Sequence, residues 1–186
     1  MKINLTHKSA QEIKQKFSFF TEENWQTEKA NFNQNLEGIF SAKKDETFIV
    51  VEDEKVHFLI GLGEHPQNFE IQESAEKFPY DFRKKLKATN TEINADSFKN
   101  HQIESLVKGL FLGTYEYPFK AEHPIFNADF QLILSDISEE NLQDLITKTS
   151  AICEGQFACM EWLNKPQNFK RVPHISEFLT EISTQY

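Results

Sequence analysis

The sequence has few cysteines, no long apolar run and fewer basic than acidic residues. Only two of its 186 residues are cysteines, so a disulfide framework cannot be its main source of stability. It has no apolar run near the roughly 18 residues that a transmembrane helix needs. Its 20 Lys and Arg residues face 29 Asp and Glu residues, for a net charge of -9. This charge disfavours nucleic acid and anionic membranes as partners.

The two cysteines, Cys153 and Cys159, fall in one predicted helix, where a separation of six residues corresponds to a rise of roughly 9 Å. This separation is too large for a disulfide. We therefore predict that both are reduced, buried, small hydrophobic residues, as a reducing compartment would allow. The first residues, Met1–Leu5, lack the apolar core of a signal peptide. We expect a cytoplasmic location.

The sequence is rich in aromatic residues, and its apolar runs predict a sheet. With 18 Phe and 39% hydrophobic residues, 186 residues can form one domain with a substantial core. The run Val56–Gly63 is bounded by glycines and predicts an interior strand. Glu46–Glu52 precedes it at hairpin spacing, which predicts antiparallel neighbours. Further strands are predicted at Ile3–Leu5, Phe17–Phe20, Thr89–Ala95 and Asp129–Leu134.

Helical periodicity is strongest from Ser138 to Leu163, where apolar residues recur every 3.6 positions. A second helix, capped by Asp96 or Ser97, is predicted to end at Gly113. Its bare glycine face, which includes Gly109, is expected to pack on the sheet. Other helices are predicted over Ser9–Lys16, from near Phe78 to Lys87 with Pro79 in the first turn, and from Pro173 onward. Thr21–Asn35 shows no clear period and predicts a loop with at most one helical turn.

Helices separate most of the predicted strands, which favours an α/β domain with three α/β/α layers and a mixed sheet. The exit of the Val56 strand is similar to a phosphate-binding turn. A dinucleotide fingerprint needs a third glycine at the start of a helix, but Pro66 occupies that position. We therefore interpret the turn as a structural strand exit. An anion-binding loop of Gly61, Gly63, Glu64 and His65 is the alternative.

The sequence shows no pattern of catalytic or metal-binding residues. The six histidines are scattered and lack the spacing of zinc ligands. Neither a nucleophile elbow nor a Walker motif occurs. The one basic cluster, Arg83–Lys87, is typical of a solvated helix face. We therefore predict no catalytic residue, no metal ligand and no cofactor site in this chain.

Three separated segments are similar, in the same order, to the non-catalytic N-terminal part of the leucyl (cytosol) aminopeptidase family. Each segment is short, but together they span more than half of the chain, and the long predicted helix precedes the last of them. They are Val56–Gly63, Gly109–Tyr115 continuing to Phe119–Lys120, and Trp162–Asn168 followed by Pro173.

This resemblance implies a macro-domain-like α/β/α fold, followed by a long connecting helix and a catalytic domain that holds two zinc or manganese ions. The implied boundaries are a macro-like N-terminal domain over 1–137, a connecting helix over 138–163, and over 164–186 a linker with the first helix of a missing catalytic domain. The family's catalytic motif, Asn-Thr-Asp-Ala-Glu-Gly-Arg, does not occur in this chain. No catalytic residue can therefore be carried over.

The resemblance implies an accessory and assembly domain of a leucyl aminopeptidase, an exopeptidase that releases N-terminal amino acids. The expected partners are its own C-terminal catalytic domain and the other chains of a family-type hexamer. The apolar face of the last helix, formed by Ile175, Phe178, Leu179 and Ile182, is expected to fold back or to pair with a neighbouring chain. The alternative is a free-standing macro-like module that binds a nucleotide or ADP-ribose at Gly61–His65.

Overall fold

A computed structural model describes residues 3–5, 14–82, 91–95, 98–115, 130–133 and 139–185, which form six strands and five α-helices. The strands are β1 (Ile3–Leu5), β2 (Gln15–Thr21), β3 (Thr47–Glu52), β4 (Lys55–Gly63), β5 (Thr91–Asn94) and β6 (Phe130–Ile133). The helices are α1 (Glu22–Glu28), α2 (Asn68–Phe82), α3 (Asn100–Leu112), α4 (Glu139–Asn164) and α5 (Val172–Gln185). Short 3-10 turns lie at Lys29–Asn31 and Gln167–Phe169.

The strands form one six-stranded sheet in the order β1-β6-β5-β2-β4-β3. All neighbouring strands are parallel except β3 and β4, which form an antiparallel hairpin. Asp53 and Glu54, with φ of 49° and 63°, turn the chain between these two strands, as a two-residue type I′ loop requires. The predicted mixed sheet, hairpin and interior β4 are confirmed.

Side chains along β2 alternate between two cores on opposite faces of the sheet. Phe17 and Phe19 pack with residues of α2, α3 and α4 in the larger core. Phe20 points to the other face, where it packs with Trp25 of α1 and with Phe40. Helices therefore cover both faces, α2 to α4 on one and α1 on the other, and the predicted α/β class with three layers is confirmed.

Gly109 of α3 and Gly113, which caps the C-terminal end of this helix, face α2. A Cβ at Gly109 would lie 2.3 Å from the carbonyl oxygen of Gln72, and one at Gly113 would lie 2.2 Å from that of Glu76. The prediction that this glycine face packs on the sheet is wrong. The sheet is instead covered by the face of α3 that carries Leu106, which is fully buried, because large side chains bury more apolar area than glycine can.

Two helices begin where the sequence pattern did not predict them. The region predicted as a loop contains α1, whose first turn is capped by Thr21, since its Oγ1 accepts a hydrogen bond from the Asn24 N–H at 3.1 Å. The prediction that α2 begins near Phe78 is also wrong, because Pro79 lies inside this helix. Burial of Ile71 and Ala75 in the core outweighs the hydrogen bond that proline removes.

Smaller differences concern helix ends and one cysteine. Gln15 and Lys16, predicted to end a helix, belong to β2, where the parallel pairing with β4 and β5 extends the strand. The N-cap of α3 is Lys99 rather than Asp96 or Ser97, whose structure lies outside the described residues. Of the predicted helix over Ser9–Lys16, Lys14 is described and is not helical, and residues 9–13 lie outside the described residues. The features predicted at 83–90, 116–129 and 134–138 lie outside them too.

Both cysteines are free and lie in α4, as predicted, but only Cys153 is buried. Burial raises the pKa of the Cys153 thiol to about 11. Cys159 is exposed because it lies on the face of α4 that no described element covers. The described helices, α4 included, have no apolar stretch that could span a bilayer.

Candidate functional site

The exit of β4, where the alternative ligand loop was predicted, is hydrogen-bonded to the segment before β3. The N–H of Gly61 donates to the carbonyl oxygen of Glu46 at 2.7 Å, and the N–H of Asp45 donates to that of Gly61 at 3.2 Å. The N–H of Gly63 donates to the carbonyl oxygen of Ala42 at 2.9 Å. A phosphate-binding turn needs free backbone N–H groups, and these two are already used within the fold.

The other two residues of the predicted ligand loop are exposed. The side chains of His65 and Glu64 are 82% and 77% exposed, and His65 Nε2 lies 3.9 Å from Glu64 Oε1. Gly63 has a φ of +84°, which turns the chain away from the sheet and favours glycine. The structure thus brings the four residues to one turn. Their binding of a ligand stays a prediction.

Glu46 organises the segment that encloses this turn. Its Oε2 accepts hydrogen bonds from the backbone N–H of Ser41 at 2.9 Å, from the Ser41 hydroxyl at 2.9 Å and from the backbone N–H of Lys43 at 3.1 Å. Burial alone would raise the pKa of Glu46, but the hydrogen bonds from Ser41 and Lys43 outweigh it, and the pKa lies below its ordinary value.

Replacement of Glu46 by glutamine is expected to lower the free energy of unfolding by about 1 kcal/mol at pH 7, because three charge-assisted hydrogen bonds become neutral ones. A carboxyl group with a lowered pKa stabilises the fold above its unfolded pKa and loses that effect as pH falls through its folded pKa. The difference between the two proteins should therefore be full at neutral pH and should shrink as the solution is acidified through the lowered pKa of Glu46. Urea unfolding at several pH values measures it.

The matched control for this variant is Glu37→Gln, which removes an exposed carboxylate from the same loop region. We expect its free energy of unfolding to stay within about 0.5 kcal/mol of the wild type at every pH. A pH-independent loss in the Glu46 variant would contradict the assigned role of the carboxylate charge.

No metal site was predicted in this chain, and the described ranges contain no group of three or more His, Cys, Asp or Glu side chains that could hold a metal ion.

His57 is half-buried on β4. Burial, reinforced by the nearby Lys16, lowers its pKa, so at neutral pH it contributes to the sheet as a neutral side chain.

An aromatic contact joins α4 and α5 at the corner between them. The rings of Trp162 and Phe178 stack at a centroid distance of 4.8 Å and an angle of 15°. Lys165 Nζ lies 4.5 Å from the first ring centroid and 5.5 Å from the second, within the range of a cation–π contact. Asn164 Nδ2 donates to Tyr115 Oη at 3.2 Å, which ties the end of α4 to the end of α3.

The expected folding back of α5 is seen for Phe178 but not for the whole apolar face. Val172 is 78% exposed, Leu179 59% and Ile175 37%. These three residues are named here the α5 apolar face. An apolar helix surface of this kind is typical of an interface.

A groove of about 570 Å³ lies between α2, α3 and α4. Sequence reasoning did not predict it, because its residues come from three distant segments and none forms a local motif. We call it the acidic groove, and it is lined by Glu73, Glu76, Lys77, Tyr80, Leu112, Gly113, Tyr115 and Met160.

Comparison with known proteins supports the fold through structure alone. The sequence matches no protein-family model and no curated protein. Solved structures do match. A mutant of tomato leucine aminopeptidase superposes with a TM-score of 0.79 at 15% identity, over 100% of this chain and 42% of that chain. The cytosol aminopeptidase from Coxiella burnetii superposes with a TM-score of 0.68 at 9% identity, over 98% of this chain and 38% of that chain.

A third similar structure is the bottromycin maturation enzyme BotP in complex with Mn, with a TM-score of 0.66 at 10% identity over 94% of this chain and 37% of that chain. The chain is thus an α/β domain that spans about two-fifths of the length of its structural neighbours. Its fold is the one found in leucine and cytosol aminopeptidases. The resemblance inferred from three sequence segments is confirmed at the level of fold.

Proposed function

We propose that this chain is the N-terminal accessory domain of a leucyl aminopeptidase, where it supports a catalytic domain and the assembly of the enzyme. One observation carries the proposal: the whole chain superposes on a leucine aminopeptidase but covers only 42% of it. The proposal assigns residues 1–137 to the domain, 138–163 to the connecting helix and 164–186 to the link with the catalytic domain.

The α5 apolar face supports this assignment. It lies on the last described helix, and the chains of the structural neighbours are more than twice as long as the part that this chain covers. In the proposed enzyme the further chain covers Val172, Ile175 and Leu179. Burial of a Leu or Ile side chain stabilises by about 1.5–3 kcal/mol, so the face can contribute several kcal/mol to domain docking.

Catalysis in this proposal belongs to the further domain, which would hold two divalent metal ions, zinc or manganese. The manganese complex of the BotP neighbour supports that choice of metal. Two metal ions would polarise the scissile carbonyl group and lower the pKa of a bound water. The hexamer and the cytoplasmic location belong to the same proposal, and one neighbour is a cytosol aminopeptidase.

The proposal predicts that the protein purified from its source is longer than 186 residues and releases leucine from leucine p-nitroanilide in the presence of Mn²⁺ or Zn²⁺. Mass spectrometry and the peptidase assay measure these properties. In the longer protein, the double variant Ile175→Asp/Leu179→Asp should lose at least about tenfold in activity, because two charges would be buried at the interface. Light scattering should show that the same variant no longer forms the hexamer.

Ile39→Asp is the control for these substitutions, because Ile39 is 52% exposed and far from α5 in sequence. It should leave activity and assembly unchanged. A mature protein that ends at Tyr186 and binds ADP-ribose in a calorimetric titration would overturn the proposal and favour the macro-like module. The hydrogen-bonded amides of Gly61 and Gly63 argue against that module.

A further inference from the structure

We propose that the acidic groove binds a basic segment of a partner polypeptide, in which a Lys or Arg side chain is the anchor. The groove lies on the α2–α4 side of the sheet and is built from residues other than the α5 apolar face. The inference is therefore independent of the proposed function. It rests on two carboxylates that have no ion-pair partner among the described residues, on apolar walls and on the size of the groove.

The two carboxylates of the groove have no ion-pair partner within the described part of the chain. Neither Glu73 nor Glu76 has a Lys, Arg or His nitrogen of the described residues within 4.0 Å. Lys77, which also lines the groove and feels the charge of Glu73, is paired with Asp45 at 2.8 Å. Lys44, which also feels the charge of Glu73, is paired with Glu70 at 2.7 Å.

Two further features favour a cation in the groove. The C-terminal end of α3 lies in the groove at Gly113, where the helix dipole favours a cation. Burial raises the pKa of Glu76, and the charge of Glu73 raises it further. A cation placed between the two carboxylates would remove this repulsion.

The walls suit the alkyl part of a basic side chain. Tyr80 and Tyr115 supply aromatic surfaces, and Leu112 and Met160 supply apolar contact. The long alkyl stem of Lys or Arg packs on such surfaces while its charged head stays at the polar groups. A guanidinium or ammonium group also binds favourably to a tyrosine ring.

The shape of the groove favours a polypeptide over a free small cation. Its volume of about 570 Å³ exceeds that of one side chain, and Tyr80 is 51% exposed. A crossing chain could therefore insert one basic side chain while its backbone remains solvated. Apolar residues beside the basic one would cover Leu112 and Met160.

Binding can be measured by fluorescence anisotropy with a labelled ten-residue synthetic peptide that contains four arginines interspersed with leucine and alanine. We expect a dissociation constant of roughly 10–100 μM at low salt. The same peptide with citrulline in place of arginine keeps the shape and loses the charge. It should bind at least about tenfold more weakly.

The test variant is Glu73→Gln/Glu76→Gln, which should weaken peptide binding about fivefold to tenfold. It should fold at least as well as the wild type in a thermal unfolding experiment, since it removes two repelling charges. The matched control is Glu23→Gln/Glu37→Gln, which removes two exposed carboxylates from α1 and the loop that follows it, on the opposite side of the sheet. It should leave binding unchanged.

Three results would overturn the proposal. Equal weakening by both double variants would show a general attraction to the net charge of -9. Equal affinity for arginine amide and for the peptide would make the groove a small-cation site. Absence of binding to the wild-type protein at low salt would leave no role for the groove in binding a basic segment.

Discussion

Replacement of Gly61 by alanine is expected to destabilise the protein by about 3 kcal/mol or more, because the new Cβ has no space. It would lie 2.1 Å from the carbonyl oxygen of Lys43 and 2.6 Å from the carbonyl carbon of Ala42. Both are backbone atoms, so no side-chain rotation can relieve the clash. Hydrogen bonds of 2.7 Å to Glu46 and 3.2 Å to Asp45 prevent the two segments from moving apart.

The free energy of unfolding of this variant can be measured by urea denaturation followed by circular dichroism. Gly155→Ala is the control, because Gly155 lies inside α4 and a Cβ there meets no atom within 4 Å. That substitution should stabilise the protein by about 0.5–1 kcal/mol, since glycine is the poorer helix former. Equal stability of the Gly61 variant and the wild type would contradict the close packing of the segment before β3.

The strands could be predicted from sequence because their apolar runs are local. Val56–Gly63 is a continuous apolar run with a turn on each side, so its interior position follows from composition alone. The hairpin before it depends on the Asp53–Glu54 spacing, which is also local. For the same reason the period of α4, over 26 residues, predicted that helix well.

The region around α1 could not be predicted because its stability comes from distant contacts. With only seven residues, α1 is too short to show a clear period. Its one buried residue, Trp25, donates its ring N–H to the carbonyl oxygen of Phe40 at 2.8 Å. It also packs on Phe20 of β2, with centroids 5.2 Å apart. Nothing in the pattern of residues 21–35 reveals those partners.

The two candidate sites, the exit of β4 and the acidic groove, also differ in whether a local motif reveals them. The glycines at the end of β4 were recognised from a local motif, but the partner segment that uses their amides is separated from them by a strand and a turn. The acidic groove brings Glu73 of α2 together with Tyr115 and Met160. These residues are far apart in sequence, and the packing of α3 against α2 through Gly109 and Gly113, and of α4 against α3, brings them together.

Close helix packing depends in turn on the aromatic core beneath it. Phe78 of α2 stacks on Phe82 at 4.8 Å and lies 5.5 Å from Phe58 of β4, centroid to centroid. Phe17 of β2 touches both Phe58 and Phe78, so it joins two strands and a helix at one point. Loss of this ring would therefore weaken several elements at once.

Phe17→Ala is accordingly expected to cost about 3–5 kcal/mol, as burial is lost and a cavity remains. The Phe17 side chain is 0% exposed, and its centroid lies 4.9 Å from that of Phe58 and 3.9 Å from that of Phe78. Phe69→Ala is the matched control, because Phe69 is 61% exposed and its loss should change the free energy of unfolding by less than about 0.5 kcal/mol. Urea denaturation measures both. Similar losses for the two variants would contradict the position of Phe17 at the centre of the core.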